Sequence, residues 1–291
     1  MAGQTLSEIR ALLAARGLSP RHRYGQNFLI DLNLMRKLIA AAELSPTDVV
    51  LEVGPGTGSL TELLLESGAR VVAVEIDGGL AELLRERFAS AANFTLVEGD
   101  ALSGKHGINR MALDAVRAGV AETGGKLKLV ANLPYAAATP LLMNLVLSDL
   151  PWDRIVCTIQ KEVGERITAT AGSDQYGVLS VVMQTLGTPR VIAVLPGHVF
   201  WPAPDVDSVI MLITPRAPRL IGANELPAYS SVVHEAFLHR RKKLRRLVKR
   251  FGEDAEARLF AETGVNPDAR PEDLSPAQWL GFFRSLQSLR A

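Results

Sequence analysis

Short apolar runs rich in β-branched residues alternate with longer amphipathic stretches over the first two thirds of the chain. Val49-Val50-Leu51-Glu52-Val53, Val71 to Val74, Phe94-Thr95-Leu96-Val97, Leu127 to Ala131 and Ile155 to Ile159 read as strands buried on both faces. Leu60 with Leu63 to Leu65, the set Met111, Leu113, Val116 and Val120, and Leu141 to Leu147 read as the helices between them, and Leu6, Ile9, Leu12 and Leu13 as one more at the start. Strands alternating with helices predict an α/β class, with a doubly wound, mostly parallel sheet. Val191 to Leu195 and Val209 to Thr214 finish that sheet with an antiparallel edge. Pro215, Pro218 and Gly222 then mark a linker. Tyr229 to Phe237, Ala255 to Glu262 and Pro276 to Leu289 carry only helical patterns, so residues 216–291 read as a small all-α domain and 1–215 as the sheet domain.

The chemistry gathers where strands end. The first strong strand runs into Gly54-Pro55-Gly56-Thr57-Gly58. Glycines there permit a tight turn and close ligand approach. The next strand ends at Glu75, spaced to accept hydrogen bonds from ribose hydroxyls. The glycines run G-x-G-x-G rather than G-x-G-x-x-G, and Glu52 precedes them. A strand-end carboxylate suits a ligand with a cationic amino-acid group better than one with phosphates. Asp100, after the third strand, can accept from the exocyclic amine of a ligand's adenine. Asn132-Leu133-Pro134-Tyr135 closes the next strand. The Asn132 amide oxygen and the Leu133 carbonyl, the latter constrained by Pro134, offer two acceptors for a ring amine, and Tyr135 offers a stacking face. Each feature also has a plainer reading: a tight βα connection for the glycines, a solvated strand end for Glu75, an ordinary turn for Leu-Pro. Asp77 reads as a helix N-cap. Their occurrence in order at one sheet edge favours the ligand reading.

Composition narrows the setting. The chain has 291 residues, 47% hydrophobic, with a net charge of +1. It is therefore not basic throughout. Residues 216–291 nevertheless hold fourteen Lys and Arg against nine Asp and Glu, and eight of the fourteen fall between Arg240 and Arg250. Phe237, Leu244, Leu247 and Val248 give that stretch an apolar stripe. It reads as a basic helix whose Arg240, Arg241, Lys242, Lys243, Arg245 and Arg246 meet RNA phosphates, with an ordinary solvated face as the alternative. Arg21, His22 and Arg23 extend the basic surface. Cys157 is the one cysteine and reads as a core residue, so no internal disulfide forms. The five histidines lack metal-ligand spacing, and no apolar run reaches membrane-spanning length. With no signal-peptide layout, these features point to a cytoplasmic protein without a metal. Gly99 to Lys105 fits G-x-x-x-x-G-K, but His106 stands where Ser or Thr is needed, against a nucleotide-phosphate loop.

These motifs, with Tyr24-Gly25-Gln26-Asn27-Phe28-Leu29, Gln160-Lys161-Glu162-Val163, Tyr176-Gly177-Val178-Leu179-Ser180, Phe200 to Ser208 and Ala236 to Leu244, resemble the ribosomal RNA small-subunit adenine N6,N6-dimethyltransferase family along nearly the whole chain. The resemblance implies a Rossmann-like methyltransferase fold with a seven-stranded sheet, and S-adenosylmethionine as methyl donor. It implies that Asn27, Leu29, Gly54, Gly56, Glu75, Ile76, Asp100, Ala101 and Asn132 bind the cofactor. It makes Asn132, Leu133, Pro134 and Tyr135 catalytic, with Phe200 stacking on the target base opposite Tyr135 and Tyr176-Gly177 a candidate loop beside it. The implied substrate is small-subunit rRNA in a pre-30S particle, modified at two adjacent adenosines near its 3′ end by a monomeric enzyme. Large-subunit methyltransferases of the macrolide-resistance type share the cofactor motifs, and a non-catalytic assembly or transcription factor on the same fold is the rival of another kind. Two departures stand out. Ser103 to Lys126 is longer than usual and is a candidate cover for the site edge or an RNA contact. Ala136-Ala137-Ala138 replaces polar residues and leaves room for a singly methylated base.

Overall fold

The computed structural model describes residues 4–104 and 107–289. Lys105 and His106, the end of the loop-like G-x-x-x-x-G-K stretch, lie outside the described residues. The chain forms two compact units. One comprises Met1–Leu145, Leu150–Gly164 and Arg190–Thr214; the other comprises Val146–Asp149, Glu165–Pro189 and Pro215–Ala291.

The first unit opens with α1 (Leu6–Ala14), β1 (Phe28–Leu29) and α2 (Leu32–Ala42). There follow β2 (Val49–Val53), α3 (Ser59–Glu66), β3 (Arg70–Glu75), α4 (Gly78–Arg87), β4 (Phe94–Glu98), α5 (Arg110–Thr123), β5 (Leu127–Asn132) and α6 (Tyr135–Val146). Then come β6 (Trp152–Gln160) and α7 (Lys161–Thr168), the chain passes into the second unit for α8 (Val178–Leu186), and it returns to the first for β7 (Gly187–Leu195), β8 (Phe200–Trp201) and β9 (Ser208–Pro215). Seven strands form one sheet in the order β4-β3-β2-β5-β6-β9-β7. β2 is parallel to β3 and β5, β3 to β4, and β5 to β6, whereas β9 runs antiparallel to β6. This is the doubly wound, Rossmann-like arrangement. Strand order reverses between β2 and β5, which opens a crevice at their carboxyl ends.

Residues of alternate parity face opposite layers. Val50, Val71, Ala73, Val130 and Val156 share an apolar cluster with Met35 and Leu38 of α2 and Leu60 and Leu64 of α3. Val49, of the other parity, meets Gly119 of α5, where an added Cβ would lie 3.1 Å from a Val49 methyl. Most of the long Ser103 to Lys126 stretch is thus a helix flanking the sheet, not a cover for the crevice. Its start is tied back by Asn109, whose Nδ2 donates to the Asp100 carbonyl at 2.7 Å. Helix α6 begins at Tyr135, earlier than the apolar run suggests, and holds Pro140 within it. The missing Pro140 N–H releases the carbonyl of Ala136, whose residue is exposed to water. Cys157 is fully buried.

In the second unit, α8 joins α9 (Leu226–Leu238), α10 (Arg245–Val248), α11 (Glu253–Thr263) and α12 (Pro276–Ser288). Tyr176, Val181, Tyr229, Val233, Trp279, Phe282 and Phe283 make its core. Segment Glu165–Pro189 falls in this unit rather than with the sheet because Tyr176 and Val181 are buried there. Tyr176 donates its hydroxyl to the Leu274 carbonyl at 2.8 Å. Its ring, on the segment between α7 and α8, thus belongs to the core of this unit. The long basic helix is also absent. Helix α9 stops at Leu238, the chain turns, and α10 has four residues. The Leu244 N–H is drawn to the Ala269 carbonyl at 2.9 Å, which breaks the helical ladder there.

Candidate active site

A cavity of about 300 Å³ opens at the carboxyl ends of β2, β3, β4 and β5. Asn27, Leu29, Gly54, Gly56, Glu75, Ile76, Asp100, Ala101 and Asn132 all line it, as do Leu133, Pro134 and Tyr135. Two glycines make this closeness possible. Gly54 has φ +71°, and a Cβ there would stand 3.0 Å from Cγ of Pro134. Gly56 has φ +62°, and its Cβ would stand 2.7 Å from the Phe28 ring. A side chain at either position would push the turn away from the tetrapeptide or from β1.

Two buried carboxyls form the floor. Glu75 accepts from the Gly56 N–H at 3.1 Å and the Asp77 N–H at 2.9 Å. Glu52 accepts from the Thr61 hydroxyl at 2.7 Å. Burial pushes Glu52 up to about 8 despite the Thr61 bond, with the nearby Glu75 charge adding to the rise. Burial likewise pushes Glu75 up to about 7, against the amide bonds that favour its ionised form. Asp77 caps α4 by accepting from Gly79 N–H at 3.1 Å. It also takes a bond from Gln26 at 3.1 Å and pairs with Arg21 at 3.2 Å, tying the N-terminal motif to the end of β3. Asp100 is exposed at the rim, with one carboxylate oxygen taken by the Leu102 N–H at 2.9 Å. Ile76 presents an apolar side chain at 41% exposure.

Asn132, at the end of β5, is held at both ends of its amide. Its Nδ2 donates to the Asn27 carbonyl at 2.8 Å, and its Oδ1 accepts from the Thr158 hydroxyl. Thr158 is fully buried on β6 and is the register partner of Asn132. A carbonyl can only accept, so the Asn27 bond fixes the NH2 side and turns the oxygen to Thr158. The oxygen keeps a second lone pair. Among the described residues none donates a hydrogen bond to the Leu133 carbonyl. The Tyr135 hydroxyl bonds Ser208 Oγ at 2.7 Å, and burial raises its pKa against that bond. Thr158 and the Ser208 contact were not identified from sequence. The one available signal was a hydroxyl inside the apolar run Ile155 to Ile159.

Phe200 does not line this cavity. It is 3% exposed, pairs with Leu29 across the β1–β8 ladder and packs in the cluster of Leu29, Met35 and Leu38. Through that pairing and packing it holds β1 in place. Ala136 and Ala137 line the cavity, whereas Ala138 is buried.

In the second unit, three of the six expected RNA contacts are engaged by acids. Arg240 pairs with Glu272, Lys243 with Asp268 at 2.9 Å, and Arg245 with Glu256 at 2.8 Å. Arg241, Lys242 and Arg246 are exposed and have no ion-pair partner among the described residues, and Lys249 joins them. No cluster of His, Cys, Asp or Glu among the described residues could hold a metal ion. No helix among them is long and apolar enough to cross a membrane.

The two raised carboxyls set a pH dependence. A folded-state pKa above the unfolded 4.5 gives stability that is full below about 4.5 and is lost as pH rises through about 7 for Glu75 and about 8 for Glu52. The thermal midpoint of the ligand-free protein is expected to fall between about pH 4.5 and about pH 8, and Glu52→Gln to flatten that fall. Melting curves across this range check it, and equal slopes in the two proteins would refute the assignment.

A family model described as ribosomal RNA adenine dimethylase matches residues 17–288. The chain is 38% identical to ribosomal RNA small subunit methyltransferase A of Moorella thermoacetica over 291 residues, covering 98% of this chain and 97% of that one. It is 40% identical to the protein of the same name from Phenylobacterium zucineum over 284 residues, covering 97% and 93%. Among solved structures, 23S rRNA methyltransferase ErmE aligns with TM-score 0.66 and 25% identity over 90% of this chain and all of that one. A dimethyladenosine transferase from Plasmodium falciparum aligns with TM-score 0.72 over 90% of this chain and 98% of its own, and at 21% identity supports the fold alone. A cavity bordered by every expected cofactor residue and by the Asn132 to Tyr135 tetrapeptide accords with these matches, and the chain belongs to the ribosomal RNA adenine dimethylase family.

Proposed function

We propose that this chain is an S-adenosylmethionine-dependent enzyme that dimethylates N6 of two adjacent adenosines near the 3′ end of small-subunit rRNA. The carrying observation is the Asn132 amide, locked by Asn27 and Thr158 with an acceptor lone pair left over. S-adenosylmethionine, when bound, supplies an electrophilic methyl group on a sulfonium. The cavity suits such a ligand. Glu52 and Glu75 are carboxyls that burial holds above their usual range, and a positive charge nearby would favour their ionised forms. Ile76 offers an apolar platform, and Asp100 an acceptor at the rim.

The protein's task is to aim a poor nucleophile. An adenine amine is conjugated into its ring. Asn132 Oδ1 and the Leu133 carbonyl can accept its two hydrogens, favouring a pyramidal nitrogen with its lone pair directed at the cofactor pocket. The same acceptors stabilise positive charge developing on that nitrogen. Tyr135, anchored through Ser208, provides the stacking face. Neither acceptor is a base, so the excess proton leaves to solvent from a nitrogen made acidic by alkylation. Ala136 and Ala137 leave room for the first methyl group when the base returns for the second.

The exposed Arg241, Lys242, Arg246 and Lys249 support a role for the helical unit in holding rRNA by its phosphates. A cavity complete within one chain supports a monomer, and its rRNA substrate supports a cytoplasmic setting and action on a pre-30S particle. The relatives at 38–40% identity carry small-subunit names, which favours that substrate over the 23S reading suggested by the 25%-identical ErmE. The intact tetrapeptide favours catalysis over a purely assembly-factor role.

Purified small and large ribosomal subunits lacking these methyl groups, incubated with the enzyme and labelled cofactor, distinguish the readings. Nucleoside mapping should find two adjacent N6,N6-dimethyladenosines in the small subunit, and label confined to the large subunit would overturn the proposal. Reversing the charges of Arg241, Lys242 and Arg246 together should weaken rRNA binding and make its log–log salt dependence shallower by about 2 to 3. Unchanged binding across salt concentrations would remove these residues from the interface.

A further inference from the structure

Helix α1 lies before the residues matched by the family model, which begin at position 17, yet the segment it anchors reaches the cofactor turn. The Gln4 side-chain oxygen accepts two hydrogen bonds, from Thr57 Oγ1 and from Ser59 Oγ, each 2.6 Å. Gln4 is 7% exposed, and Thr57 and Ser59 are similarly buried. The two hydroxyls flank Gly58, and both residues border the cavity. Gln4 is itself held in place. Thr5 caps α1 in a capping box with Glu8, and Ile9 and Leu13 are buried with Phe28 and Leu80. Phe28 in turn lies against Gly56. On the other side of the turn, Arg87 donates to the Thr57 carbonyl at 2.6 Å and pairs with Glu62 at 2.6 Å.

We infer that Gln4 is a positioning residue for the cofactor, acting as a latch that pre-orders the glycine-rich turn through Thr57 and Ser59. The inference rests on the S-adenosylmethionine reading of the cavity. Gly54, Gly56 and Gly58 all have positive φ, at +71°, +62° and +84°. A turn with three such glycines has many conformations of similar energy when nothing holds it. Ordering it before binding removes that entropy cost from the binding step. The latch touches neither Asn132 nor Tyr135, so it governs cofactor affinity and leaves the methyl-transfer step alone. Both bonds end on one oxygen, so a side chain of the same length works only if it keeps that acceptor.

Gln4→Met removes the acceptor and keeps the bulk; Gln4→Glu keeps both. Titration calorimetry of the full chain with S-adenosylmethionine should show Gln4→Met binding about three- to tenfold more weakly, the loss expected for two modest hydrogen bonds. Its kcat at saturating cofactor should stay within about twofold, because chemistry is untouched. Gln4→Glu should bind within about twofold of wild type. Amide hydrogen exchange at Gly56 to Ser59 in the ligand-free protein should be faster in Gln4→Met alone, a readout that holds even if its stability shifts. Equal affinities for wild type and Gln4→Met, equal losses in both variants, or a fall in kcat at unchanged affinity would overturn the latch. Failure of the wild type itself to bind S-adenosylmethionine would overturn the cofactor reading and the latch with it.

Discussion

The orientation of one amide organises this molecule. Asn132 presents its oxygen correctly only while its NH2 faces the Asn27 carbonyl and its oxygen faces the Thr158 hydroxyl. Rotated by half a turn, the amide would set its oxygen against the Asn27 carbonyl, with no proton between them. Three structural features maintain the arrangement. The β1–β8 ladder fixes Phe28 and Leu29, and so the adjacent Asn27. The β5–β6 register places Thr158 beside Asn132. The contact of Pro134 with Gly54 sets how near the tetrapeptide lies to the cofactor turn. Each support belongs to the sheet scaffold, so the acceptor is rigid before any base arrives.

Electrostatics divides the work between the two units. Glu52 and Glu75 concentrate acidic groups in a dry floor, where a cationic ligand gains most from them. The helical unit instead carries exposed cations on a turn and a short helix. Its other basic residues are balanced by Glu272, Asp268 and Glu256, so raw charge density overstates the surface open to phosphates.

Much of this was legible in the sequence because it is local. The apolar runs gave β2 to β6 within a few residues; strand-end chemistry picked out Gly54, Gly56, Glu75 and Asp100, the family resemblance added Asn27, Leu29, Ile76, Ala101 and Asn132, and all nine line one cavity. What was not legible depends on long-range pairing. Thr158 looks like any β-branched strand residue until the register sets it opposite Asn132. Phe200 reads as a free aromatic until β8 pairs with β1 and buries it. Tyr176 stands beside glycine in an apparent loop, but the helical core claims its ring. The basic stretch has helical spacing, yet Leu244 finds its backbone partner at Ala269, twenty-five residues on.

The central claim is that a fixed acceptor pair activates the adenine amine. Single-turnover methyl transfer by Asn132→Ala, at saturating cofactor and small-subunit substrate, tests it most directly. The account requires the rate to fall by about a hundredfold or more, the cost of removing one preorganised polar partner of a transition state, with cofactor affinity within about threefold of wild type. A single-turnover rate near that of the wild type would contradict it.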